Sequence, residues 1–202
     1  MRPEEVHKLL ESVGAIRHGH FELSSGRHSG TYVQCALVLQ HPHYAEQLGR
    51  ALAAEFHDLG IQCVASPAVG GIVLGQEVAR AIRAVTGGSG ARAIFVERDA
   101  SGSMTLRRGF DVEPGEHVLV VEDVWTTGGS TFETIRVVEE AGGRVVAAGA
   151  LIDRSAGQLE FPVRAEALLD LKIDSYDGDD CPLCRAGGVA VRPGSRFLRA
   201  AP

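Results

Sequence analysis

Two carboxylates and a run of small hydroxyl-bearing residues stand together in "VLVVEDVWTTGGST", residues 118–131. Glu122 and Asp123 close a run of branched apolar residues. Thr126, Thr127, Gly128, Gly129, Ser130 and Thr131 then lead into helix-forming sequence. Two adjacent glycines let a backbone turn tightly with its N–H groups outward. A helix beginning there adds the positive end of its dipole, so the loop suits an anion, most simply a phosphate. The hydroxyls of Thr126, Thr127, Ser130 and Thr131 can donate to its oxygens. Carboxylates do not bind phosphate. Beside a phosphate cradle they suit the 2- and 3-hydroxyls of a ribose 5-phosphate, or a magnesium ion held through water. An isolated Glu-Asp pair would read as a helix cap with a solvated neighbour; attachment to this loop favours the sugar phosphate. The loop is neither a Walker A sequence nor a Gly-x-Gly-x-x-Gly fingerprint. A phosphatase of the Asp-x-Asp type would need an acid where Trp125 stands.

These residues need a scaffold that brings them together. Apolar runs at 63–66, 93–96, 117–121 and 145–152 alternate with helical patterns at 71–84 and 130–141. That alternation predicts a mostly parallel central sheet flanked by helices, an α/β fold. In such sheets ligands bind beyond the carboxyl ends of the strands. The polar sequences "PAVGG", "ERD", "EDVWTTGGST" and "DRSAG" directly follow the four apolar runs, so four loops are expected to meet at one edge. Upstream, residues 2–14 read as a helix with Val6, Leu9, Leu10 and Val13 on one face and Gly14 as its stop. Residues 20–39 read as two strands around a polar loop. Residues 43–60 read as an amphipathic helix with Tyr44, Leu48, Leu52, Phe56 and Leu59 inward and Gly60 as cap. "TGGSG" (86–90) is expected to be a flexible connection, and 99–109 a mobile lid. The end, from Cys181 on, has little periodicity.

The composition is that of a globular protein: 202 residues, 45% hydrophobic and 23% charged, enough for one domain or a domain with a small appendage. A net charge of −6 argues against a general nucleic-acid binder. No apolar run approaches the roughly 18 residues of a spanning helix, so no membrane association is expected. Acids near the start, where a signal peptide needs apolar residues, point to the cytoplasm. Cys35, Cys63, Cys181 and Cys184 fit a reducing compartment. Lys8 and Lys172 are the only lysines. Arginine suits bidentate capture of phosphate or carboxylate, although codon bias is the plainer cause of that count.

The signature "VLVVEDVWTTGGST" resembles the phosphoribosyl pyrophosphate (PRPP) motif of the type I phosphoribosyltransferases. Along most of its length the chain resembles the orotate branch of that family. "GHFELSSGRHSGTY" is similar to its N-terminal segment, "SPAVGGIVLG" to its pyrophosphate loop and "DRSAG" to its orotate contact; "LRRGF" and "CPLC…RPGSR" are similar to one bacterial branch. The resemblance implies transfer of phosphoribosyl from PRPP to orotate, giving orotidine 5'-monophosphate and pyrophosphate in pyrimidine synthesis. It implies Mg2+ carried mainly by PRPP, with no direct protein ligand assigned, and a homodimer that exchanges lids.

Residue by residue, the resemblance implies Thr126 to Thr131 at the 5-phosphate, Glu122 and Asp123 at the ribose, and Val69, Gly70 and Gly71 at the pyrophosphate. Arg98 matches the arginine at the lid's base. Ser25, Gly26, Arg27, Thr127 and Arg154 fall at the orotate pocket, with Arg154 as the specificity residue. Three segments follow: a small N-terminal hood at 1–40 that contributes to the base pocket, a PRPP-binding core at 41–175, and a tail at 176–202 packing on core or hood. The chain departs from the family in the lid, which lacks the usual lysines and histidine; Arg107 and Arg108 are the expected replacements. It also carries Ser24 where the family has lysine, and Trp125 where an aliphatic residue is common. A purine-type phosphoribosyltransferase and a non-catalytic PRPP sensor are the alternatives. "FELSSGRHS" and "DRSAG" weigh against the first, the acidic balance against the second.

"CPLC" (181–184) is half of a zinc site, and a closed site needs four ligands. No second Cys pair follows. Completion across a dimer, or by His18 or His20, is one reading; buried or turn thiols are the favoured one. The pairs "HGH" (18–20) and "HPH" (41–43) read as surface histidines.

Overall fold

The computed structural model describes residues 1–23, 25–86 and 90–193. The expectations for Ser24, for most of "TGGSG" and for the tail beyond 193 lie outside them. The elements of the first half are α1 (Pro3–Ser12), β1 (Ile16–Glu22), β2 (His28–Val33), α2 (Ala36–Leu39), α3 (Pro42–Ala54), β3 (Cys63–Pro67), α4 (Gly71–Thr86) and β4 (Arg92–Arg98). The second half holds β5 (Met104–Leu106), β6 (His117–Trp125), α5 (Gly129–Glu140), β7 (Arg144–Asp153), β8 (Arg164–Asp170), β9 (Ser175–Tyr176) and α6 (Pro182–Arg185).

Six strands form the central sheet in the order β5-β4-β3-β6-β7-β8. All neighbours are parallel except β5, which returns antiparallel along β4 at one edge. The chain moves from β3 outward to β4 and β5, then crosses back to place β6 on the other side of β3. The order therefore reverses between β3 and β6. That is where an open α/β sheet leaves a crevice beyond its strand ends.

The expected alternation of faces holds. Val64, Leu119 and Val121 pack with Leu52 of α3 and Leu74 and Ile82 of α4 on one face. Cys63, Ala65, Val118 and Val120 pack with Ile135 and Val138 of α5 on the other. Because β6 is covered on both faces, its residues 118–121 are all apolar and all fully buried. Helix α1 buries Val6 and Leu10 in the same core as α3 and β8, so the start of the chain is tied to the main sheet. α3 and α4 approach closely: a Cβ on Gly49 would lie 2.7 Å from the Glu77 Cβ.

Beside the sheet stands a smaller one, β1-β2-β9. The β1–β2 hairpin encloses the turn through Gly26 (φ +80°), closed by Leu23 N donating to Arg27 O at 2.8 Å. Three expectations are corrected. "ALVL", read as strand, is the short helix α2, because after Cys35 the backbone turns helically and Leu39 N bonds to Cys35 O. The amphipathic helix stops at Ala54, and Phe56 and Leu59 lie in the turns before Gly60 (φ +61°). Residues 104–106 of the expected lid are the edge strand β5, anchored by the buried Met104. Strand β8, unforeseen, has ends too polar for an apolar-run reading.

Candidate active site

The loops after β3, β4, β6 and β7 do meet at the carboxyl edge of the sheet. The "EDVWTTGGST" segment supplies both its acids and its anion cradle. Gly128 adopts φ +71° as the residue before α5. A Cβ there would also press on the ends of the Leu159 and Phe132 side chains, each 3.0 Å away. The first helical hydrogen bond is Phe132 N to Gly128 O at 2.9 Å. The amides of Gly129, Ser130 and Thr131 thus precede the helical ladder. Thr126, Thr127 and Gly129 are exposed. Among the described residues, no basic side chain forms an ion pair with any group of this loop.

The Thr131 hydroxyl departs from the expectation that it faces a phosphate. It is fully buried, donates to Glu122 Oε2 and accepts from Trp125 Nε1 at 3.0 Å. Its position three residues into the helix turns it back toward the strand that precedes the loop. Thr131 therefore offers its amide to the cradle, while its side chain orients Glu122. Trp125, read as packing, does pack, with its ring 4.6 Å from that of Phe161. It also terminates this hydrogen-bonded chain.

Burial raises the Glu122 carboxyl from an ordinary 4.5 to about 7, against the opposing hydrogen bond from Thr131. Burial raises Asp123 as well, opposed by backbone donors that include Val124 N at 3.1 Å. Among the described residues, neither acid has a basic partner. The loop after β3 closes over Asp123. Val69 is 82% exposed there, and the Ala68–Val69 peptide is cis. A Cβ on Gly70 would lie 2.8 Å from Asp123 Oδ1, and one on Gly71 would lie 3.0 Å from the Ser66 Cβ. Gly70 and Gly71 thus let backbone approach the acid and the strand end where any side chain would collide.

From the next strand, Arg154 N donates to Trp125 O at 2.8 Å, which sets the start of "DRSAG" beside the first loop. The Arg154 Nε is buried and has no hydrogen-bond partner. Burial draws the guanidinium pKa down, opposed by the nearby Cys35 and Tyr32. Cys35 Sγ in turn donates to Asp123 O at 3.8 Å, and Tyr32 hydroxyl donates to Gln34 Oε1 at 2.9 Å. Tyr32 of β2 and Cys35 before α2 thus lie beside Arg154 and Asp123, which sequence reasoning missed. Their signal was weak, since both lay in a stretch read as strand and loop.

The remaining candidates are placed as follows. Arg27 donates to Ser175 Oγ (3.0 Å), Ser175 O (2.6 Å) and Asp177 Oδ1 (2.8 Å), which binds the hairpin turn of Ser25 and Gly26 to β9. Arg98 reaches Glu133 of α5 at 2.8 Å and Gly102 O at 2.6 Å. Arg107 and Arg108 share Glu97, at 3.3 and 3.0 Å. Both are more than half exposed.

A parallel sheet whose order reverses beside paired acids, a glycine-threonine cradle and a cis-peptide loop defines a phosphoribosyltransferase. The family model described as "Phosphoribosyl transferase domain" matches residues 37–164. The chain is 53% identical to the orotate phosphoribosyltransferase of Pelotomaculum thermopropionicum, covering 98% of this chain and 100% of that one. It is 50% identical to that of Desulforamulus reducens at the same coverages. The crystal structure of Mycobacterium tuberculosis H37Rv orotate phosphoribosyltransferase in complex with PRPP superposes with a TM-score of 0.66 at 27% identity, over 83% of this chain and 96% of the other. The chain belongs to the orotate phosphoribosyltransferases, a family of pentosyltransferase enzymes.

Proposed function

We propose that the chain transfers the phosphoribosyl group of PRPP to N1 of orotate, giving orotidine 5'-monophosphate and pyrophosphate for pyrimidine nucleotide synthesis. One observation carries the reading. Two half-buried acids without a cation, an open helix start and an arginine with an unpartnered buried Nε stand together at the switch between β3 and β6. They complement a substrate that is anionic at both ends and becomes positive in the middle.

The amides of Gly129, Ser130 and Thr131, with the Thr126, Thr127 and Ser130 hydroxyls, hold the 5-phosphate. Glu122 and Asp123 hold the ribose hydroxyls. As the C1–O bond to pyrophosphate lengthens, positive charge develops on the sugar, and fixed carboxylates nearby favour it. Val69, Gly70 and Gly71 present backbone N–H groups to the departing pyrophosphate. Arg154 orients orotate, which arrives as a carboxylate anion, through its carbonyl or carboxylate; as N1 bonds to C1, the N1 proton passes to water or to the departing pyrophosphate. Tyr32 and Cys35 form the wall of that pocket, with Ser25, Gly26 and Arg27 at its rim. The hard oxygen donors of Glu122 and Asp123 fit a hydrated Mg2+ carried on PRPP. When bound, Mg2+ offsets charge on the leaving pyrophosphate.

Arg107 and Arg108 carry the positive charge that lysines and a histidine supply in the family's lid. Unchanged turnover in both Arg107→Ala and Arg108→Ala would remove that assignment. A homodimer and a cytoplasmic location complete the reading. No helix among the described residues is long and apolar enough to cross a membrane. The deciding assay is magnesium-dependent PRPP consumption with orotate, adenine, hypoxanthine or uracil as acceptor. Orotate alone should support pyrophosphate release; turnover with a purine instead would sink the reading.

A further inference from the structure

Outside the crevice, the small sheet and the C-terminal segment bring four metal-binding side chains together. His20 lies on β1, His28 opens β2, and Cys181 and Cys184 flank and enter α6. One ligand atom from each lies within 4.8 Å of every other. His20 Nε2 is 3.0 Å from His28 Nδ1, 3.5 Å from Cys181 Sγ and 3.7 Å from Cys184 Sγ. Cys184 Sγ is 3.3 Å from His28 Nδ1. Zinc–sulfur and zinc–nitrogen bonds in a tetrahedron set ligand–ligand edges of about 3.3–3.8 Å. The four-atom cluster therefore has nearly the size a zinc ion demands. His18, the other histidine considered for "CPLC", points away and meets Glu11 and Thr31.

A second observation is independent of those distances. Among the described residues after Asp170, Cys181 is the only buried side chain. The segment that forms β9, α6 and the turns between them therefore has no apolar core of its own. A structure this poor in buried surface is held by a staple or not at all. Hydrogen bonds from Arg27 to Ser175 and Asp177, and from Ser29 Oγ to Asp174 O (2.8 Å), hold its first residues, and the pairing of Val191 with β1 (Val191 N to His20 O and Glu22 N to Val191 O, both 2.9 Å) holds its end, so the stretch between them that carries both cysteines is what the cluster fastens. The two thiols are free rather than joined to each other. Two thiolates and two neutral imidazoles give a dication a set with no net charge left over, from ligands of the softness zinc prefers.

We propose that His20 Nε2, His28 Nδ1, Cys181 Sγ and Cys184 Sγ bind one zinc ion in a closed tetrahedral site that fastens the C-terminal segment to the β1–β2 hairpin. With four protein ligands the site has no open position, so its role is structural. It holds β9 against β2, and through β9 it holds Arg27 and the turn at the rim of the crevice.

The test uses the full-length chain without a polyhistidine tag. Equilibrated with zinc and dialysed, the wild type should retain about one zinc per chain, and Cys181→Ser/Cys184→Ser should retain background only. Cobalt loading should give the intense ligand-field bands of a tetrahedral ion together with a thiolate-to-cobalt charge-transfer band. Chelation should lower Tm and expose the 177–191 region to protease, and zinc should reverse both. Because the double variant could misfold, His28→Ala provides a second check: it should weaken zinc retention at least tenfold while the wild-type cobalt spectrum stands. Wild type that holds no zinc, or an octahedral cobalt spectrum without charge transfer, would overturn the proposal. So would full zinc retention in both variants.

Discussion

The two ends of the central sheet treat charge in opposite ways. At the amino end, Glu116 is 8% exposed and its carboxylate is fully matched. Arg92 donates to it from Nε at 2.9 Å and Nη2 at 2.6 Å, and Glu113 N adds a third donor at 3.1 Å. The Arg92 hydrogen bonds, more than any other influence, hold Glu116 below its ordinary 4.5. At the carboxyl end, Glu122 and Asp123 are half-buried without any such partner, and that partial burial pushes both upward. Nearby, Arg154 is drawn the other way for the same reason. One end completes its ion pairs internally, which serves stability. The other leaves two acids and a guanidinium nitrogen without internal partners, which costs stability and matches what the proposed ligand site requires.

The contrast can be broken by substitution. Removing charge without shape at the carboxyl end, Asp123→Asn should lower kcat/KM by about 100-fold. Its Tm should be unchanged or higher, because an unpaired half-buried charge is gone; a Tm loss with normal kinetics would reverse the contrast. Arg154→Ala should raise the KM for orotate by roughly tenfold or more, with PRPP affinity nearly intact. Glu116→Gln should do the opposite of Asp123→Asn. It should lower stability by about 1–2 kcal/mol, reduced from a fully buried pair because Arg92 reaches solvent, and leave kinetics alone.

The smallest effect is one of pH. Glu122 is raised, so the folded chain binds a proton that the unfolded chain releases between 4.5 and about 7. Stability therefore falls as pH rises through that window, by about 1 kcal/mol once relaxation is allowed for. Glu122→Gln should flatten that slope in denaturant titrations. Glu116 is lowered, so its contribution is present above 4.5 and lost as pH falls below it.

Much of this was readable from residue types because local rules and tertiary needs agreed. The run at 118–121 is apolar on both faces since β6 is covered on both, and Gly128 stands where a left-handed turn must precede α5. The four loops fell at one edge because parallel strands share a direction. What was missed depended on contacts distant in sequence. Nothing in "GTYVQC" announces that Tyr32 and Cys35 reach Arg154 and Asp123. His20 was one of the partners considered for "CPLC", but nothing near that motif shows that His28, more than 150 residues away, lies beside it too. Thr131 misled for a local reason: in a helix's first turn a side chain can point back to the preceding strand as easily as outward.

The chain contains one tryptophan, and it is Trp125. Its indole N–H is one threonine away from Glu122. The protein consequently carries a native optical reporter at its most sensitive position. Emission near that indole should register a sugar phosphate settling into the crevice, or a proton leaving Glu122, without any label attached.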